Sequence, residues 1–226
     1  MAQNRQIILD RSGAWAEFHV NNTLHRELNA VRYRWEDAAE AQEKSLSFLF
    51  DGLVLPVSSD SLTKNPSQNP LTECDHVLIC RKGIFSIETK SVVGRVFGEK
   101  DADDWHTATK EHHDRNRNNL RSRMMKNPFK QNYKHIRALA NHLGLDYKKV
   151  HNCVILLEAD YDGWLEGDWG STPIDGLFLS APEMVRFIHT LPDKLPYNDM
   201  IKLSKKLVEF YEKKDDLKAQ FMSNMT

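Results

Sequence analysis

The residues of this chain best placed to do chemistry are Asp75, Glu88 and Lys90, the last two lying thirteen and fifteen positions after the first. They fall in two apolar runs, Cys74–Cys80 and Ile84–Val92, separated by Arg81-Lys82-Gly83. Two such runs joined by a short turn containing glycine predict a β-hairpin. Side chains alternate between faces along a strand, so Ser86, Glu88 and Lys90 share one side while Phe85 and Ile87 make a core face. A turn at 81–83 brings Asp75 opposite residues 88–90, and two carboxylates and one ammonium converge at a strand end. Such a set can bind a hard divalent cation. Mg²⁺ takes oxygen ligands, commonly one or two carboxylates completed by waters and phosphate oxygens. The cation would polarise a phosphoryl oxygen and acidify a water. The lysine could orient that water and offset charge developing in the transition state. The same spacing also describes a cross-strand salt-bridge cluster on a solvated face.

The elements that must position these groups follow from pattern. Arg32–Phe50 reads as a helix with Trp35, Ala38, Ala39, Gln42, Leu46 and Leu49 on one side and Glu36, Glu40 and Glu43 in a stripe on the other. Asp51-Gly52 stops it, and Leu53–Val57 is a short strand. A polar loop covers 58–72, and a polar stretch anchored by Trp105 runs from Glu99 to Lys126. Asn127-Pro128 starts a helix to His142, ended by Gly144. Val150–Leu157 is a buried strand, 158–176 an acidic loop, and Leu177–Leu179 a strand. Ser180-Ala181-Pro182-Glu183 opens a further helix with capping-box spacing. A last helix covers about 197–213, before a charged, frayed tail. The expected fold is α/β, a mixed central β-sheet flanked by helices. Residues 1–30 read as an N-terminal extension, 31–192 as the core domain and 193–226 as a helical C-terminal extension.

The motifs Cys74-Asp75-His76-Val77, Gly83-Ile84-Phe85-Ser86-Ile87-Glu88-Thr89-Lys90, Gly94-Arg95-Val96, Trp105 and Asn127-Pro128-Phe129-Lys130-Gln131 together resemble the nuclease-related domain family. That family is a branch of the PD-(D/E)xK phosphodiesterases, so the resemblance implies a restriction-endonuclease-like core. It implies that Asp75 and Glu88 are metal ligands, with the Thr89 carbonyl a further one, and that Lys90 is the catalytic lysine. It places Gln131 beside the active centre and His135 where some relatives carry tyrosine. The family's first helix supplies a glutamate after glycine. Ala39-Glu40 is the nearest match and lacks the glycine, and Glu36 and Glu43 compete in register. The implied cofactor is Mg²⁺, with Mn²⁺ as a substitute.

Charge suggests a binding surface. Lys110–Arg137 holds nine Lys/Arg against Glu111 and Asp114, within a chain whose formal net charge is only −1. Arg115, Arg117, Arg121, Arg123, Lys126, Lys130 and Lys134 are the candidate phosphate contacts, with interleaved asparagines and nearby Phe129 and Tyr133. The run leads directly into Gln131. A solvated face is the plain alternative.

Composition narrows the classes. At 40% hydrophobic there is apolar surface for a core. No run approaches the about 20 apolar residues of a membrane span. Three cysteines without a CxxC pair argue against a disulfide framework or zinc site and for a reducing, cytoplasmic setting. The expected function is a metal-dependent nuclease acting on nucleic acid, DNA first. The rivals are a catalytically silent nucleic-acid-binding module and a protein-interaction module of a defence or repair system. Homodimerisation and partner proteins of such a system stay open.

Overall fold

In the computed structural model the described residues are 2–31, 38–57, 69–99, 101–110, 120–160, 165–166 and 175–224. The chain forms α1 (Ala2–Glu27), β1 (Ala30–Val31), α2 (Ala38–Glu43), β2 (Ser47–Pro56), β3 (Leu71–Cys80) and β4 (Gly83–Glu99). It continues through β5 (Asp104–Lys110), β6 (Leu120–Lys126), α3 (Pro128–Leu143), a 3₁₀ turn (Tyr147–Lys149), β7 (Val150–Asp160), β8 (Leu165–Glu166) and β9 (Asp175–Phe178). The helices α4 (Ala181–Thr190), α5 (Tyr197–Glu212) and α6 (Lys214–Ser223) complete it.

One mixed sheet runs β1-β2-β3-β4-β5-β6, and β7 joins it by pairing parallel to β4 and β9. The α/β expectation holds. Sheet residues on both faces are covered, which is why Val77, Leu78 and Ile79 of β3 are all fully buried. Val77, Ile79 and Ile84 pack with Ile136 and Leu139 of α3 and Leu207 of α5. Leu78, Phe85 and Ile87 pack with Val20 and Leu24 of α1 and Met184 of α4.

The helix α3 is built as its sequence specifies. Asn127 caps it by accepting from the Phe129 N–H at 2.9 Å, Pro128 opens it, and Gly144 closes it at φ 71°, a left-handed conformation glycine adopts without a Cβ penalty. Its buried stripe, Phe129, Asn132, His135, Ile136, Leu139 and Leu143, follows the three-and-four spacing of a helix face. At α4, Ser180 accepts from the Glu183 N–H while the Glu183 carboxylate accepts from the Leu179 N–H.

Several expectations are corrected. Of the helix expected over 32–50, residues 32–37 lie outside the described residues and α2 covers only 38–43. Ser47–Phe50 belong to β2, because consecutive Phe48, Leu49 and Phe50 are all buried, as strand residues between two covered faces are. Gly52 does not end an element. It sits inside β2 at φ 59°, a kink that favours glycine. The polar stretch 99–126 contains the β5–β6 pair, registered from Asp104 opposite Lys126 to Lys110 opposite Leu120. Trp105 is fully buried there and lies so close over Gly98 that a Cβ at that glycine would meet its ring at 2.2 Å. The charged tail is the helix α6. Residues 1–30 supply α1, whose Ala16, Val20 and Leu24 are part of the core.

Candidate active site

The site sits where strand β4 changes partners. The β3–β4 ladder runs from Cys80 opposite Gly83 to His76 opposite Ile87 and stops there, whereas β4 stays paired with β7 from Ile84 to Ser91. The short turn at 81–83 therefore sets Asp75 and Glu88 one step past the last rung, as the hairpin spacing requires. Beyond it the Thr89 N–H is taken by the Asp75 carboxylate at 2.8 Å instead of by a strand carbonyl. Glu88 is not at a strand end. It lies within a 17-residue strand covered by α3, and that burial is what the hairpin reading missed.

Glu88 is 1% exposed. Lys90 Nζ lies 2.6 Å from its Oε1, and His135 Nε2 lies 3.4 Å from its Oε2. Both partners bond the carboxylate, which is otherwise enclosed. The other ring nitrogen of His135 meets the Thr72 hydroxyl at 2.6 Å. Burial pushes the Glu88 carboxyl up, but His135 and Lys90 outweigh it and hold the group below its ordinary range. Asp75 goes the other way. Burial, then the charge of Glu88, raise it well above its ordinary value against the opposing Thr89 N–H. The two carboxylates thus sense one another, and the unfavourable pair is the arrangement a divalent cation relieves.

Three further charged groups reach this place from distant parts of the chain. A cleft of about 310 Å³ is lined by Asp75 together with Glu17 of α1 and Lys214 and Lys218 of α6. Glu17 is at its rim. Partial burial, reinforced by Glu73 and Glu88 and opposed by Lys218 and Lys90, raises its carboxyl above the ordinary value. Lys218 Nζ lies 2.6 Å from Glu73 Oε1, and Lys214 Nζ lies 3.2 Å from Asp51 Oδ2.

A nuclease-related domain model matches residues 12–157. The chain belongs to the nuclease-related domain family. The family lies in the restriction-endonuclease-like superfamily, and the mixed sheet with flanking helices fits that core. An uncharacterised protein of Bacillus anthracis is 34% identical over 68 residues, which are 30% of this chain and 28% of that protein's length. No solved structure matches. The family match begins inside α1, so the helix carrying Glu17 belongs to the matched segment.

Glu40, on α2, has its carboxylate 2.5 Å from Lys44 Nζ, a surface pair one turn apart. Glu36 lies outside the described residues, and Glu43 is exposed. Gln131 is half-buried one turn before His135 on α3. Its neighbour Asn132 is the side chain locked into the sheet, accepting from the Ser86 hydroxyl at 2.6 Å and donating to the Ser86 carbonyl at 2.9 Å and Asn152 Oδ1 at 2.8 Å. Asn132 thereby fixes the helix that holds His135 against Glu88.

In the basic run, Arg115 and Arg117 and the side chain of Arg121 lie outside the described residues. Arg123 and Lys134 are exposed. Lys126 pairs with Asp104 at 2.8 Å and Lys130 with Asp103 at 2.7 Å. Both aspartates lie just upstream of the counted window, so the run is less one-sided in space than in sequence. Both pairs are exposed and weak enough to exchange for other anions.

The carboxylate oxygens of Asp75 and Glu88 are donors that suit a hard cation. Among the described residues no three His, Cys, Asp or Glu side chains cluster as a metal cage. Two carboxylates completed by water and substrate oxygens are the manner in which Mg²⁺ is usually held. No helix among the described residues is long and apolar enough to cross a membrane.

Proposed function

We propose that this protein is a Mg²⁺-dependent nuclease, also supported by Mn²⁺, that hydrolyses phosphodiester bonds of DNA. The observation that carries this reading is a buried Glu88, bonded by Lys90 and His135, beside an Asp75 whose carboxyl resists ionisation. Asp75, Glu88 and the Thr89 carbonyl hold the cation, which when bound polarises a phosphoryl oxygen and acidifies a water. Lys90, held at 2.6 Å from Glu88, orients the attacking water and offsets charge on the phosphoryl oxygens. His135, fixed by Thr72, keeps Glu88 ionised and in place. Glu17 fills the helix-glutamate role in preference to Glu40, because Glu17 lines the cleft with Asp75. Gln131 faces the substrate from the start of α3, and Arg123 and Lys134 contact its backbone phosphates.

The test is incubation of linear, circular and single-stranded DNA and RNA with Mg²⁺, Mn²⁺ or EDTA, beside Asp75→Ala and Lys90→Ala proteins. Product that needs the metal and falls at least about 100-fold in both variants is expected. Cleavage in EDTA, or wild-type rates in Asp75→Ala, would refute the mechanism. DNA binding without product from any substrate would support the catalytically silent reading.

A further inference from the structure

A second cavity, of about 390 Å³, lies at the opposite end of the β3–β4 hairpin, around the turn at Lys82 and Gly83. Glu88 is five residues further along β4, roughly 17 Å away at strand rise, so this cavity is separate from the carboxylate site. Its volume falls within the range that holds small organic ligands.

Its lining divides into two parts. Ile84, Leu145, Leu195 and Leu203 give it an apolar wall. Lys148 and Lys149, from the 3₁₀ turn, and Lys194, from the segment between α4 and α5, also line it, and all three are exposed. Lys82, the fourth cation, is answered by Asp193 at 3.0 Å. The other three have no carboxylate partner among the described residues. Lysines left without carboxylate partners around a partly apolar hollow raise the local potential and favour a multiply charged anion.

One buried group sharpens this. His151 lines the cavity, is 7% exposed, and stacks on Phe85 at 4.5 Å between ring centres. Its Nδ1 is buried with no partner. Burial and the neighbouring Lys194 lower its pKa to about 4, so the ring is neutral and carries a single N–H near pH 7. A buried N–H without an acceptor is rarer and costlier than an unanswered lone pair. The proton therefore sits on Nε2, the edge beside Gly83, where an added Cβ would come within 3.1 Å. The cavity thus offers one fixed neutral donor as well as three mobile cations.

We infer that this cavity binds a nucleotide, its phosphates held by Lys148, Lys149 and Lys194 and its base against the apolar wall and the His151 ring edge. A sugar phosphate has no apolar body to fill the wall. A fatty acid has a single charge for three ammonium groups. A nucleoside phosphate answers both halves of the lining.

The experiment is calorimetric titration of the full chain in EDTA, so that no metal recruits phosphates to Asp75 and Glu88. The probes are AMP, ADP, ATP, adenosine and inorganic phosphate. At least one nucleotide should bind saturably at one site, with adenosine and phosphate each at least about tenfold weaker, because each supplies one half of the contacts. Lys149→Gln/Lys194→Gln should weaken nucleotide binding at least about tenfold, since charged contacts are lost, without moving the ligand-free unfolding midpoint. Asp75→Ala should bind as the wild type does. Absence of saturable nucleotide binding, full binding by the double lysine variant, or loss of binding in Asp75→Ala would each overturn the inference. The outcome is independent of whether the protein cuts DNA.

Discussion

Asn132→Ala should be strongly destabilising. The Asn132 side chain is 1% exposed and is bonded to the Ser86 hydroxyl, the Ser86 carbonyl and Asn152 Oδ1. Removing it takes a partner from these three groups and from the Cys153 carbonyl, between α3, β4 and β7. A buried polar group left unsatisfied costs about 1–3 kcal/mol. The Ser86 hydroxyl can rotate, which lowers its share, so a total of about 3–5 kcal/mol is expected. For a chain of this size 1 kcal/mol corresponds to about 2–4 °C, so the unfolding midpoint should fall by about 6–20 °C. Urea titration followed by far-ultraviolet circular dichroism reads the loss as a shifted midpoint at unchanged slope. Ser86→Ala should cost less on its own, and the double variant should show a coupling of about 1–3 kcal/mol. A loss below about 1 kcal/mol in Asn132→Ala, or strict additivity with Ser86→Ala, would refute the view that this amide pins α3 to the sheet.

Three further outcomes are expected. Asp75→Asn should raise the metal-free unfolding midpoint, because it removes a charge that burial and Glu88 both oppose, and Mg²⁺ should stabilise the wild type but not the variant; a lowered midpoint in EDTA contradicts this. His151 has a folded pKa near 4 against an ordinary 6.5, so the stability it supports is complete above about pH 6.5 and is lost as pH falls towards 4. At most about 3 kcal/mol is at stake, and His151→Gln should flatten that part of the stability-against-pH curve; an unchanged slope counts against it. Lys218→Met should speed amide exchange in 214–223 while moving the global midpoint by no more than about 1 kcal/mol, and high salt should do the same to the wild type. Unchanged exchange would mean that the Lys218–Glu73 pair does not hold α6.

The hairpin and its acidic residues were legible because local rules suffice for them. A short turn with Gly83 at its end fixes register, and register puts Asp75 opposite Glu88. The helix α3 was legible for the same reason, through Asn127, Pro128 and Gly144. What escaped depended on packing. Leu49 and Phe50 fit a helical stripe until β3 pairs beside them and both faces are covered. Residues 104–126 look polar because exposed positions such as His106 and Arg123 hide a strand pair whose anchor, Trp105, is a single residue. Glu17 carried a readable sign: Ala16, Val20 and Leu24 recur every four residues, marking a helix with one buried face. Its closeness to Asp75 was not readable, since that comes from α1 crossing the sheet. Lys218 was beyond reach too, because nothing local in a charged helix names a partner 145 residues earlier.

That separation orders events in time. Asp75 and Glu88 leave the ribosome within thirteen residues of one another. The wall carrying Lys218 follows Glu73 by 145 residues, a delay of roughly 7–30 s at synthesis rates of about 5–20 residues per second. For that interval the nascent chain holds both acidic groups but lacks the cationic side of their cleft. The pocket is completed only after the sheet, α4 and α5 have all been made. Strength of metal uptake and access to polyanions should therefore differ between the growing chain and the finished protein.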